Sequence, residues 1–442
     1  MSLFKVNIIY FVLCLFLSCS SNNDNSEDQT EKDLWLFEAK TLGGSKNDSG
    51  KAVVSTSDGG YIISGYTQSN DGDISTKTDD SFDVWVLKFN ANDKLEWSKT
   101  YGGTGDDRAE DIIQNNDGSF SVLGYSQSQD GDLTENAGLK DFWILNIDAK
   151  GELIWQKSIG YPGNDYGIAL TATSDQGLLL TGVIDVTASG GAGNTKTNRH
   201  AGGDYWAIKL NSQGDILWRH YFGGTYTDTP YDVIETPDHN FIIAGSSDSF
   251  DVDISNNHGS YDFWVVKISN SGELLWEKNF GGSQIDEAYS LTSTSDGSIY
   301  IAGDSWSEDQ DISTPKGASD IWLLKISSDG VLLWEKSFGG SQFDAARHIF
   351  TTQDQGLLIT GSSRSSDGDL TINHGQNDVC ILKLDASGNL KTLNTTGGSG
   401  VDFAYSITQL NNGKIVCIGD STSADIDIPE NKGYSDLLIL TH

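Results

Sequence analysis

The strongest constraint on this chain is a repeat. The stretch WEKNFGGSQIDEAYSLTSTSDGSIYIAGDS beginning at Trp276 is written again, 58 residues later, as WEKSFGGSQFDAARHIFTTQDQGLLITGSS from Trp334. Self-similarity at a fixed period means that one supersecondary unit is stacked on copies of itself. The aspartate that follows the glycine pair marks the copies: Asp48, Asp107, Asp165, Asp228, Asp286, Asp344 and Asp402. That makes seven. In the fifth copy the apolar pattern resolves into AYSLTST, SIYIAGDS, DIWLLKIS and LLWEKSF, separated by SDG, a long acidic loop, SDG and the Gly-Gly loop. Alternating runs bounded by such turns read as antiparallel strands. Four strands, seven times over, predict an all-β seven-bladed β-propeller.

The ends of the repeat test this register. The third strand begins at Asp83, Asp141, Asp204, Asp262, Asp320, Asp378 and Asp436, and the last is followed by only six residues. Its fourth strand is missing, while DLWLFEAKTLGG (residues 33–44) is a spare fourth strand ahead of the first copy. The expectation is a propeller over 33–442 closed by the N-terminal strand, which removes an exposed sheet edge.

The cadence W-E-K-x-F-G-G-S-x-x-D followed by D-x-W-x-x-K-[IL] resembles the bacterial β-propeller repeats of the SBBP and delta-60 type, and more distantly the pyrroloquinoline-quinone-type repeats. The resemblance covers nearly the whole of the predicted mature chain. It implies the fold and almost nothing about activity. Relatives of the quinone type include a lipid-anchored scaffold of outer-membrane protein assembly, an analogy of fold.

Residues 1–18 carry Lys5 and an apolar run from Val6 to Leu17, too short to span a bilayer and suited to a secretory signal. LFLSC resembles the lipobox of bacterial lipoproteins, with Phe16 where Leu is usual, and implies lipidation of Cys19. Residues 19–32 are polar and acidic, which predicts a disordered tether. Acidic tracts in that position resemble export signals of surface lipoproteins. The expected location is therefore the outer membrane, lipid-anchored, in the outer leaflet. Cys380 and Cys417 lie in apolar strands and read as buried free thiols.

The net charge of −35 argues against nucleic acid, whose phosphates it would repel. No nucleophile elbow, HExxH or phosphate loop is present. A non-catalytic binding or scaffold module of the envelope is expected, its partner a membrane or surface protein complex or a polysaccharide. The alternative is a carbohydrate-active propeller enzyme, a glycosidase or lyase.

Antiparallel strands put all long loops on one face and the short SDG turns on the other. The long-loop face carries the repeated pairs Asp71/Asp73, Asp130/Asp132, Asp251/Asp253, Asp309/Asp311, Asp367/Asp369 and Asp425/Asp427. With Asp83, Asp141, Asp262, Asp320 and Asp378 at the start of the third strands, they make a candidate Ca²⁺ set, since that ion takes six to eight oxygens. The other reading is that they pin turns through their own hydrogen bonds. The tryptophan pairs Trp85/Trp97, Trp143/Trp155, Trp206/Trp218, Trp264/Trp276 and Trp322/Trp334 are expected to face each other across a hairpin and to pack blade on blade. The third copy breaks the acidic pattern between Val186 and Gly203. There Lys196, Arg199 and His200, joined by Tyr221 and Tyr226 with His220 and Tyr231 nearby, form a candidate ligand-binding set.

Overall fold

The computed structural model describes residues 35–190, 200–294 and 296–442. The expected signal peptide, Cys19 and the tether lie outside the described residues, as do Lys196 and Arg199. Trp35–His442 forms one compact unit. It is a seven-bladed β-propeller of seven four-stranded antiparallel sheets. The inner strands are Asp48–Ser55, Asp107–Gln114, Tyr166–Ala172, Asp228–Glu235, Asp286–Ser293, Asp344–Thr351 and Asp402–Gln409, and they define blades 1 to 7. Each inner strand touches the next, and that of blade 7 touches that of blade 1.

The ring closes as the register demands. Glu38–Leu42 pairs antiparallel with Asp436–Thr441, with Glu38 opposite Thr441 and Leu42 opposite Leu437. The junction of blades 7 and 1 is then built like the others. Asp48 donates its N–H to the Ser435 carbonyl at 2.9 Å, as Asp107 does to Phe82 at 2.8 Å and Asp286 to Tyr261 at 2.7 Å.

Apolar cores lie between blades. Val84 and Val86 of blade 1 pack on Phe120, Val122, Trp143 and Leu145 of blade 2, with Trp97 at the margin. Leu437, Ile439 and Ile418 of blade 7 meet Val53, Ile63 and Trp85 of blade 1 in the same way. Cys380 and Cys417 are buried free thiols.

The tryptophan pairs do serve blade packing, but they do not face each other. Trp85 lies opposite Thr100, and Trp97 opposite Lys88. A bulge between Lys88 and Phe89 changes the register near the turn. Three residues separate the two ladder positions, so the rings point to opposite faces of the blade. The inner ring is buried and donates to its own fourth strand, Trp85 Nε1 to Ser98 Oγ at 2.8 Å and Trp143 Nε1 to Gln156 Oε1 at 3.0 Å. The outer ring lies against the next blade's turn. Trp97 Nε1 donates to the Ala149 carbonyl at 3.1 Å, and a Cβ at Gly151 would stand 3.0 Å from the Trp97 ring.

Candidate functional site

The repeated aspartates are consumed by the frame. Asp48 Oδ2 accepts the Gly44 N–H at 2.7 Å and the Ser69 hydroxyl at 2.8 Å, and Thr67 Oγ1 donates to Oδ1. Asp344 repeats this with Gly340 at 2.7 Å, Ser365 at 2.7 Å and Ser363 at 2.5 Å. The acidic pairs hold the same glycine loop from above. Asp71 accepts from Ser45 N–H at 2.8 Å and Asp73 from Gly43 N–H at 3.0 Å; Asp309 and Asp311 take Ser283 at 2.8 Å and Gly281 at 3.1 Å. Asp130, Asp132, Asp251, Asp367 and Asp369 make the equivalent bonds to Thr104, Gly102, Thr225, Ser341 and Gly339. Asp253 donates its backbone N–H to Gly223.

Several second aspartates also meet a basic side chain from the preceding blade: Lys432 lies 3.1 Å from Asp73, Lys316 pairs with Asp369, and the His258 imidazole is 3.7 Å from Asp311. The third-strand set is likewise engaged. Asp141 accepts from Ala137 at 2.6 Å, Asp262 from His258 at 2.7 Å, Asp320 from Lys316 at 2.5 Å, Asp378 from His374 at 2.6 Å, and Asp83 pairs with Lys77 at 3.2 Å. Among the described residues no cluster of three or more His, Cys, Asp or Glu is disposed around a metal position. In Asp141, Asp262, Asp320 and Asp378 these bonds go to Oδ2, while Oδ1 is buried without a hydrogen-bond partner among the described residues.

First- and third-strand carboxylates converge on the first glycine of each loop. A Cβ at Gly281 would lie 2.5 Å from Asp262 Oδ1 and 2.8 Å from Asp286 Oδ2. Burial pushes Asp262, Asp320, Asp378 and Asp436 up to about 6, and Asp228 to about 8. Dehydration disfavours the charged form, so these groups hold their protons longer than a solvated aspartate.

The blade-3 set is scattered. His200 Nδ1 meets Asp204 Oδ2 at 2.5 Å, both side chains are buried, and the imidazole stands edge-on to Tyr221 at 4.8 Å. Tyr221 is itself only 2% exposed. His220 stacks on Trp218 at 5.5 Å. Tyr226 alone of these presents a surface, 48% exposed beside Phe250 at 66%. With Leu139, Trp306, Ile372, Ile426 and Tyr434 these two put large exposed apolar side chains on the long-loop face. A second group, including Leu36, Ile154, Leu217, Leu275 and Leu333, follows the outer strands near the short turns.

Tyr231 belongs elsewhere, and it reveals a site the sequence reading passed over. Every inner strand carries a β-bulge three residues after the aspartate that follows the glycine pair: the pairing skips between Gly50 and Ala52, Ala109 and Asp111, Pro230 and Asp232, and at the equivalent place in the other four blades. Bulges re-aim side chains. The skipped residues Lys51, Glu110, Ile168, Tyr231, Tyr289, Arg347 and Tyr405, one from each blade, line a cavity of about 350 Å³ on the ring's axis. No sequence signal sets this column apart: it varies from blade to blade, but so does the next, which holds Ala52, Asp111, Ala169, Asp232, Ser290, His348 and Ser406.

Within the cavity, the Arg347 guanidinium lies 3.7 Å over the Tyr289 ring and 3.3 Å from Asp304. Tyr289 donates its hydroxyl to Glu287 at 2.9 Å, and its ring is 4.7 Å from that of Tyr231. Lys51 Nζ sits 3.9 Å over Tyr405. Burial raises the carboxyls of Glu110 and Asp111, the latter to about 8, and lowers His348 to about 4. A neutral His348 is consistent with its Nδ1 accepting the Ile407 N–H at 3.3 Å.

Comparison with known proteins adds little. No family model matches the chain. A stretch of 175 residues is 26% identical to the regulatory protein FlaEY of Caulobacter vibrioides, which covers 37% of this chain and 18% of that one. The match therefore spans less than a fifth of that relative's length. Among solved structures, BamB from Moraxella catarrhalis aligns at 14% identity and TM-score 0.41 over 89% of this chain and 86% of that one. The Pan2 WD40 domain of Neurospora crassa aligns at 10% and 0.46 over 91% and 95%.

Proposed function

We propose that the protein is a non-catalytic binding or scaffold module of the cell envelope, held by lipid at Cys19, that engages a partner with its long-loop face. The observation that supports this reading is where the chain joins the ring. Trp35 and Phe37 pack with His442, their rings 5.8 and 5.3 Å from the imidazole, and His442 follows the last third strand at its short-turn end. Asn394 fixes the Trp35 carbonyl at 3.0 Å. The described chain thus enters the ring on its short-turn side, opposite the long loops. Tyr226, Phe250, Trp306 and Tyr434 then offer apolar contacts in an acidic surround, the composition of a specific docking surface.

Fractionation and cross-linking test both parts. Cys19→Ala releases the protein from the membrane fraction, and a photo-reactive side chain in place of Tyr226 captures an envelope partner that the same group in place of Asp296 does not. Membrane retention of the alanine variant, or capture only from position 296, contradicts the reading.

A further inference from the structure

We propose that the axial cavity binds a small zwitterion, a free amino acid or the like, with its carboxylate at Lys51 and its ammonium group at Glu110. The site is distinct from the docking face proposed above. It rests on two channel charges, Lys51 and Glu110, that make no ion pair or hydrogen bond among the described residues. Arg347 is taken by Asp304 and by the Tyr289 ring. Arg108 and Lys140, higher on the wall, both meet Asp106, at 2.6 and 3.2 Å. Lys51 lies over the aromatic faces of Tyr405 at 3.9 Å and Tyr66 at 5.7 Å; it forms no ion pair among the described residues, and its charge acts only through space on the carboxyls of Glu110 and Asp420. Glu110, from the neighbouring blade, likewise makes no hydrogen bond or ion pair among them. Both are half-buried residues lining the cavity.

Half-buried charges without an ion pair or hydrogen bond are costly, and in four of the seven blades this column holds an uncharged residue, Ile168, Tyr231, Tyr289 or Tyr405. Lys51 and Glu110 are one of each sign, so a simple anion or a simple cation satisfies one and leaves the other unpaired. A zwitterion satisfies both. The remaining lining suits the rest of such a molecule: Ile168 is apolar, and Tyr231 and Tyr289 present paired rings 4.7 Å apart. At about 350 Å³ the space falls at the small end of ligand pockets, which run roughly 300–1,000 Å³.

Calorimetric titration of the purified protein against the twenty common L-amino acids is the test. At least one binds. For a phenylalanine-like binder, phenethylamine and 3-phenylpropanoate, each lacking one charge, bind at least tenfold more weakly. Lys51→Met and Glu110→Gln, whose side chains make no hydrogen bond among the described residues, fold normally by circular dichroism and each weaken the amino acid about tenfold. Lys150→Met, on an exposed short turn, changes nothing. The proposal is overturned if no amino acid binds, if D-glucose or 3-phenylpropanoate binds as well as the amino acid, or if affinity survives Lys51→Met.

Discussion

Asp232 joins two blades with one carboxylate: its Oδ1 accepts the Val233 N–H of its own strand at 2.7 Å, and its Oδ2 accepts the Leu291 N–H of the next blade at 2.9 Å. These N–H groups follow the bulge, where the ladder offers them no partner. All seven of them are satisfied by the residue after the bulge. Asp111 serves Ile112 and Leu170 as Asp232 serves its pair, Ser290 takes Ile349, His348 takes Ile407 and Ser406 takes Val53. The two blades with alanine in that column, at Ala52 and Ala169, precede the two with aspartate. An aspartate reaches back to its own strand where the neighbour offers nothing. This belt holds the inner strands at fixed spacing around the cavity.

Asp232→Ala leaves two buried N–H groups without acceptors. An unsatisfied buried donor costs about 1–3 kcal/mol, so the variant loses roughly 2–5 kcal/mol in denaturant unfolding. Ser406→Ala, which orphans one N–H, loses about half as much. Equal, negligible losses for both would show that the belt is incidental.

The glycine loops carry a second expectation. At Gly281 an added methyl meets two buried carboxylates within 2.8 Å, whereas at Gly118, with φ +85°, it meets nothing within 4 Å. Gly118→Ala bears only the left-handed penalty of about 1–2 kcal/mol. Gly281→Ala forces the carboxylates from their N–H donors and costs more, about 3 kcal/mol or above, by the usual range for broken buried networks. Thermal denaturation orders the two variants.

Stability falls as pH rises. Asp83, Asp165, Asp232, Asp262, Asp304, Asp320, Asp378 and Asp436 are raised to about 6 by burial, and Asp111 and Asp228 to about 8. The unfolded chain gives up these protons near the ordinary value of 3.8, so between that pH and the folded values the native state binds more protons. Their contribution is full in acid and is lost as pH climbs through 6 and 8. His348, lowered to about 4, works the other way, but only below its unfolded value near 6.5. The melting temperature is therefore higher at pH 6 than at pH 8, and Asp228→Asn reduces the difference. A melting temperature that is flat or rising from pH 6 to 8 contradicts this.

What could be read from the sequence was whatever recurs. Seven copies of one aspartate set the blade number, and the surplus strand at residues 33–44 set the closure, because a ring leaves one solution for a missing partner. Pairwise detail escaped for a local reason. A single bulge at Lys88–Phe89 separates Trp85 from Trp97, and bulges carry no residue signature here. The partners of Asp48, Thr67 and Ser69, lie about 20 residues away in an S/T-x-S pattern that blends into ordinary strand composition. The axial residues were hidden by the opposite fault. Lys51, Glu110 and Arg347 differ from one another, and only the bulge geometry shows that they meet.

The cavity, the belt and the side on which the chain enters the ring all follow from closure of the ring by Glu38–Leu42 and Asp436–Thr441 in one register. Glu38 and Thr441 are direct partners across that seam, and both are accessible. Cα atoms paired in this way lie within the 4.4–6.8 Å that a disulfide spans. In a Glu38→Cys, Thr441→Cys variant, oxidation gives an intramolecular cross-link seen as a gel shift reversed by reductant, whereas Glu38→Cys with Leu440→Cys, one residue out of register and facing the other side, does not cross-link. Cross-linking of the second pair in place of the first, or of neither, would contradict the closure.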